Sequence, residues 1–309
     1  MKVFKFGGAS VKDAEGVKNL SSIVRGQHGQ LIVVVSAMGK TTNLLETLCN
    51  AYFHRDSKTV AIVEELKNFH LGIVNSLFPL NASVYKNLDE LFTSLGNILN
   101  TESSLCYDYE YDRIISFGEL ISTTIISHYL RLKGIDNLFI DIRKYLKTDQ
   151  NYRNGNIDLE LSGQLCEEAF DFKNTTIYVT QGFIAGTRTN QTTTLGREGS
   201  DYTAALLANL LNAEDVTIWK DVPGVMNADP KEYDKAQVIS KMSYKEAIEL
   251  SHFGAKVIHP KTIKPIQNKQ IPLYVKSFLH PESSGTIIEE IDEHLKLPPI
   301  YINKGNQCL

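Results

Sequence analysis

Residues 2–10 read "KVFKFGGAS": an apolar run broken by Lys5, then at once Gly7-Gly8 and the hydroxyl of Ser10. Apolar residues clustered over 3–6 predict a β-strand. A strand that finishes in a glycine pair predicts backbone that something must approach closely. Further strand candidates lie outward from it: "LIVVV" (31–35), "LFIDI" (138–142), "TIYVT" (176–180), "DVTIW" (215–219) and "IPLYV" (271–275). They are short and β-branched, and several are apolar on both faces, as parallel strands covered by helices on each side must be. Helical periodicity fills the intervals at 11–26 and 200–213, and residues 43–134 are helical in pattern almost throughout. The fold class expected is α/β: an open three-layer α/β/α sandwich with a mainly parallel central sheet and a helical subdomain near 43–134.

The bulk numbers narrow the function classes. With 309 residues, 42% hydrophobic and 22% charged, the chain can bury a large core and holds no long disordered tract. Thirty-two basic and 36 acidic residues leave a net charge of −4, with no basic block to suit a nucleic acid. The four cysteines, Cys49, Cys106, Cys166 and Cys308, lie far apart and match no metal or disulfide framework. No run of 18 apolar residues and no signal-peptide pattern occurs. A cytoplasmic location is expected, with no nucleic-acid or membrane partner.

In an open parallel sheet, ligands gather beyond the carboxyl ends of strands, where loops meet helix N-termini. Lys5 through Ser10 stand at such a place. Glycine lets backbone N–H groups reach phosphate oxygens, and a lysine supplies charge to them. The plainer reading is a lysine that snorkels to solvent at a strand edge before an ordinary turn. "VSAMGKTTNLL" (35–45) ends like a P-loop, but the spacing G-x-x-x-x-G-K-[ST] needs glycine where Val34 stands. No G-x-G-x-x-G follows the first strand either. One of Thr41 or Thr42 reads most simply as a helix cap. "TTTLGREGSDYTAALLA" (192–208) offers Arg197, a guanidinium able to grip a carboxylate, with Ser200 and Asp201 opening a helix. Either of those two could be no more than its N-cap. "WKDVPGVMNADPKEYD" (219–234) turns twice and could wrap a nucleoside, although turn chemistry alone explains its Pro and Gly. Polar, Gly/Thr-rich stretches at 147–156 and 186–198 suit hairpins or mobile loops.

Together these segments resemble the aspartate kinases of the amino-acid kinase superfamily. The resemblance rests on "KFGGAS", "SAMGKTTNLL", "SFGELIST" (116–123), "TQGFIAG" (180–186), "TTLGREGSDYTAALLA", "IWKDVPGVMNADP" (218–230) and "FGAKVIHP" (253–260), in the family's order, over about residues 2–290. It implies phosphoryl transfer from ATP, with Mg²⁺, to the β-carboxylate of L-aspartate, the first step toward lysine, threonine and methionine. Lys5 and Asp201 would be catalytic, the lysine stabilising the transferring group and the acid organising it. Ser36, Thr42, Glu119, Arg197 and Ser200 would bind substrate, with Arg197 on the α-carboxylate and Glu119 on the α-ammonium. Lys5, Gly7, Gly8, Ser10, Lys220, Asp221, Met226, Lys231 and Lys256 would surround ATP, with no dedicated protein metal site. A bland alternative for Glu119 is a carboxylate on a wet helix face.

Four positions depart from the family's common pattern: Ala9 for Thr, Lys220 for Thr, Met226 for an aromatic and Lys231 for Arg. The resemblance also implies a catalytic domain over 1–295, with a substrate lobe to about 190 and a nucleotide lobe over 191–295. Residues 296–309 then read as the truncated start of a regulatory ACT domain, and the whole protein as a homodimer. Two other readings stand beside this one. One is a kinase of the same fold acting on glutamate or N-acetylglutamate; the other is a nucleotide-binding regulatory module without catalysis.

Overall fold

The computed structural model describes residues 1–228, 233–252 and 258–291. The chain opens with β1 (Lys2–Phe6), α1 (Ala14–Arg25) and β2 (Leu31–Val35). Four helices follow without an intervening strand: α2 (Thr41–Phe53), α3 (Thr59–Leu77), α4 (Val84–Leu99) and α5 (Tyr107–Leu132), the expected helical subdomain. Then come β3 (Leu138–Ile140), β4 (Lys147–Thr148), α6 (Leu159–Ala169), β5 (Ile177–Gln181), β6 (Ile184–Thr187), β7 (Thr192–Thr194) and α7 (Gly199–Leu210). The remainder is β8 (Asp215–Lys220), β9 (Lys241–Ser243), α8 (Tyr244–His252), α9 (Pro260–Gln267), β10 (Leu273–Ser277) and β11 (Thr286–Glu289).

The main sheet has eight strands in the order β3-β5-β2-β1-β8-β10-β11-β9. Every neighbouring pair is parallel except β10 with β11. The expected mainly parallel α/β sandwich is therefore the observed fold. β2 and β5 are buried at every position, which is why their sequences carry no alternation. β1 is central, not an edge. Its alternation sends Phe4 and Phe6 to one face, where Phe6 stacks on Trp219 at 6.0 Å, and Lys5 to the other. A lysine snorkelling at an edge is excluded, for Lys5 is only 7% exposed.

Some boundaries move for local reasons. Helix α1 starts at Ala14 and not at Val11, because the Asp13 carboxylate accepts from Gly16 N at 2.8 Å and caps it there. The strand over 138–142 stops at Ile140, since Asp141 caps a 3₁₀ turn at Ile142–Lys144. β10 begins at Leu273 and not Ile271, after Pro272, which has no N–H to give a ladder. A second sheet, β4-β6-β7, stands apart, and β6 and β7 form a hairpin inside the Thr-rich stretch. Among the described residues no helix is long and apolar enough to cross a membrane.

Candidate active site

Winding on the main sheet reverses at β1: β2 lies on one side and β8 on the other, so a crevice opens beyond their carboxyl ends. Lys5 and Lys220 sit at those ends. Between them, in the first turn of α7, is Asp201. Lys5 Nζ lies 2.6 Å from its Oδ1 and Lys220 Nζ 3.3 Å from its Oδ2. Burial alone would push this carboxyl up, but the two ammonium groups together hold it below its ordinary value. Asp201 is thus an ionised group that pins a lysine, not a helix cap. The N-cap of α7 is Glu198, left-handed at φ 52° and without a side-chain cap bond.

Glycines let the loops close in. A Cβ on Gly8 would stand 2.6 Å from the Ala37 carbonyl oxygen, and Gly39 N donates to Gly8 O at 3.0 Å. A Cβ on Gly7 would come 3.3 Å from Lys5 Nζ, so glycine leaves that ammonium its room. Helix α5 grips the same region. Gly118 allows contact with Ala37, Ser122 Oγ donates to Ser36 O at 2.8 Å, and Ala37 N donates to Glu119 Oε1 at 3.1 Å. The other Glu119 oxygen, Oε2, is buried with no partner among the described residues. Glu119 is 2% exposed, which rules out a wet helix face. Burial pushes its carboxyl up to about 8, offset in part by the Ala37 amide and by Lys5.

A cavity of about 520 Å³ opens between these elements. Of the residues expected from sequence, it brings together Lys5, Ser36, Thr42, Glu119, Arg197, Ser200, Asp201 and Lys220. Arg197 is exposed at its rim. Gly7 and Gly8 form the turn after Lys5 and do not line it. Ser10 is buried, its hydroxyl donating to Trp219 O at 3.4 Å. Asp221 is exposed just past β8, and Met226 bridges to Val238 in the loop beyond. Lys231, Lys256 and residues 296–309 lie outside the described residues. The cap expected from Thr41 or Thr42 is not made: Lys40 is the N-cap of α2, and Thr41 Oγ1 meets His70 Nε2 at 3.4 Å.

Sequence reasoning missed part of the wall: Tyr111, Arg153, Phe183, Thr194 and Glu198. Three of them, Arg153 (φ 65°), Phe183 (φ 66°) and Glu198 (φ 52°), hold left-handed backbone that side chains rarely adopt. Strain of this kind collects where function fixes the chain. Tyr111 stands eight residues before Glu119 on α5, about two turns, which is the one signal that could have found it. Among the described residues no group of three or more His, Cys, Asp or Glu is placed to hold a metal.

A buried lysine–aspartate pair at the winding reversal, beneath a cavity with cations on several walls, can neutralise an anion that moves between two acceptors. Comparison with known proteins places it. The amino acid kinase family matches residues 1–277. The chain belongs to that family. As an amino acid kinase it is similar to lysine-sensitive aspartokinase 3 of Escherichia coli, 32% identical over 300 residues, covering 97% of this chain and 66% of that one. It is also 32% identical to the chloroplastic aspartokinase 1 of Arabidopsis thaliana, covering 95% of this chain and 53% of the other. The crystal structure of E. coli aspartokinase III in complex with aspartate and ADP superposes with a TM-score of 0.87 over 95% of this chain and 65% of that one. This amino acid kinase thus spans less than two thirds of the length of these relatives.

Proposed function

We propose that the cavity transfers the γ-phosphoryl group of MgATP to the β-carboxylate of L-aspartate, giving 4-phospho-L-aspartate and ADP, at the head of the route to lysine, threonine and methionine. The observation that carries the reading is the buried, unpartnered Oε2 of Glu119 in the same cavity as the Lys5–Asp201 pair and Arg197. A buried carboxylate oxygen without a partner is costly, and an α-ammonium is the group that satisfies it. Glutamate offers the same ammonium, but N-acetylglutamate does not, which argues for a free amino acid. Lys5 and Asp201, the pair that a merely nucleotide-binding module could lose, are both in place.

The acceptor carboxylate is already ionised at neutral pH, so no general base is required. Catalysis then rests on position and charge. Lys5, held on Asp201, neutralises the migrating group. Arg197 takes the α-carboxylate, Glu119 the α-ammonium, and Ser36, Thr42 and Ser200 complete the polar wall. Gly7, Gly8, Ser10, Lys220, Asp221, Met226, Lys231 and Lys256 are proposed to face the nucleotide. The donor set suits a Mg²⁺ that arrives on the triphosphate, since such an ion keeps its waters and takes few protein carboxylates. Asp201 is the carboxylate that would face it, and the ion would supply further neutralisation of phosphate charge. The proposal extends to a catalytic unit over 1–295 with lobes meeting near 190, to residues 296–309 as the start of a regulatory domain, and to a cytoplasmic homodimer.

The test is incubation with MgATP, hydroxylamine and one acid at a time, which traps an acyl phosphate as its hydroxamate. Hydroxamate from aspartate supports the assignment. Product from glutamate but not aspartate would move it to another acid, and none from any acid would leave a binding module.

A further inference from the structure

Arg153 has no part in the mechanism above, yet it lines the cavity on a loop that is fixed from several sides. Its guanidinium carbon lies 4.3 Å from the centre of the Tyr111 ring, which lines the cavity too. Its backbone N–H donates to Asp112 Oδ2 at 2.9 Å, and Thr194 N donates to the same oxygen at 2.9 Å. Thr194 Oγ1 donates to the other oxygen at 2.7 Å. Asp112 is wholly buried and forms no ion pair among the described residues, so its charge rests on those three donors. Next in the chain, Asn154 Oδ1 accepts from Lys261 Nζ at 2.9 Å, and the same ammonium donates to Leu195 O at 2.9 Å. A buried carboxylate on the Arg153 backbone and a lysine from α9 on the Asn154 side chain thereby tie residues 153–154 to the segment that carries Arg197.

What Arg153 itself touches is weak by contrast. Its carboxylate partner is Asp108 at 3.4 Å, with both side chains about half exposed (45% and 53%). Exposed pairs of this kind add little to stability and yield readily to a better partner. A planar fork seated over a ring, with donors to spare, is suited to a carboxylate.

We infer that Arg153 is a second guanidinium for the α-carboxylate of the amino-acid substrate, working beside Arg197 and positioned by Tyr111 and Asp112. The inference rests on the proposed reading of the site. Helix α5 carries both halves of the receptor: Tyr111 and Asp112 fix the carboxylate grip, and Glu119, about two turns on, takes the ammonium. Their spacing is therefore set by one rigid element, and that favours a carboxylate over a nucleotide phosphate as the occupant.

The experiment compares the full chain with Arg153→Ala, Arg153→Lys and Tyr111→Leu in the hydroxamate assay, using L-aspartate and its α-amide. The α-amide keeps the reacting β-carboxylate and the ammonium but lacks the charge that Arg153 would bind. Arg153→Ala should raise KM for aspartate about 10- to 100-fold, the worth of a charged hydrogen bond, and leave KM for ATP unchanged. The preference for aspartate over the α-amide should shrink by a similar factor. Arg153→Lys should recover part of the loss, and Tyr111→Leu should show a smaller loss in the same parameter. An unchanged KM and preference in Arg153→Ala overturns the inference while the activity stands; so does a rise confined to KM for ATP. A wild-type chain that gives no hydroxamate from aspartate overturns the reading of the site, and this inference with it.

Discussion

Lys5 of β1 and Asp201 of α7 meet at 2.6 Å, the lysine 7% and the aspartate 3% exposed, with Lys220 on the other oxygen of the same carboxylate. The pair is held by the fold before any substrate arrives. A cation in that position costs little reorganisation when charge develops beside it.

Replacing Lys5 by Met should therefore lower turnover by about 10²- to 10³-fold, as loss of one stabilising donor does elsewhere. KM for ATP should change little, because much of the nucleotide's binding lies in other residues. Steady-state kinetics in the hydroxamate assay separates the two parameters; near-normal turnover would remove Lys5 from the chemistry.

Glu119 gives a pH signature. With its carboxyl pushed up to about 8, the empty site holds a proton at pH 7 that an arriving ammonium displaces. Aspartate binding should release a proton at pH 7, and affinity should rise with pH until about 8 and then level. Calorimetry in buffers of different ionisation enthalpy measures the release, which Glu119→Gln should abolish. The sign for folding is opposite: between the ordinary 4.5 and about 8 the folded state holds the extra proton, so this group's contribution to stability falls as pH rises.

Arg197 sits exposed at the rim, free to close on a ligand's carboxylate. Arg197→Ala should raise KM for aspartate by about 10- to 100-fold, again the worth of a charged hydrogen bond. An unchanged aspartate requirement would take Arg197 out of the receptor.

The left-handed N-cap at Glu198 makes a stability prediction. Glycine adopts φ 52° without the Cβ penalty, and Glu198 makes no cap bond that would be lost. Glu198→Gly should stabilise the fold by up to about 1 kcal/mol, a rise of roughly 1–2 °C in Tm for a chain of this length. A fall in Tm would mean that the Glu198 carboxylate, half-buried in the cavity wall, makes a favourable interaction.

The main sheet was legible because its strands are buried on both faces and read as bare apolar runs, "LIVVV" most plainly. The small sheet was legible only as a hairpin-prone stretch at 186–198. β4, β6 and β7 are two to four residues long and mostly Thr, with Lys147, Gly186, Ala185 and the single branched apolar residue Ile184, so pairing and not periodicity defines them. Lys5, Glu119, Arg197 and Asp201 stood out through motifs, and the cavity unites all four. Their surroundings were hidden: α5 buries most of its circumference, so no polar face marks Asp112 or Glu119 as inward. Arg153 was invisible for a different reason. Only the left-handed backbone and the Asp112 anchor turn it to the cavity, and neither leaves a pattern in neighbouring residues.

The most direct measurement is a crystal structure of the chain with L-aspartate and a nonhydrolysable ATP analogue. The account predicts the Lys5 ammonium within about 3 Å of a γ-phosphate oxygen, a normal hydrogen-bond distance, with the aspartate ammonium on Glu119 Oε2 and its β-carboxylate toward the γ-phosphate. A bound state in which Lys5 stays on Asp201 alone, with the triphosphate elsewhere, would contradict it.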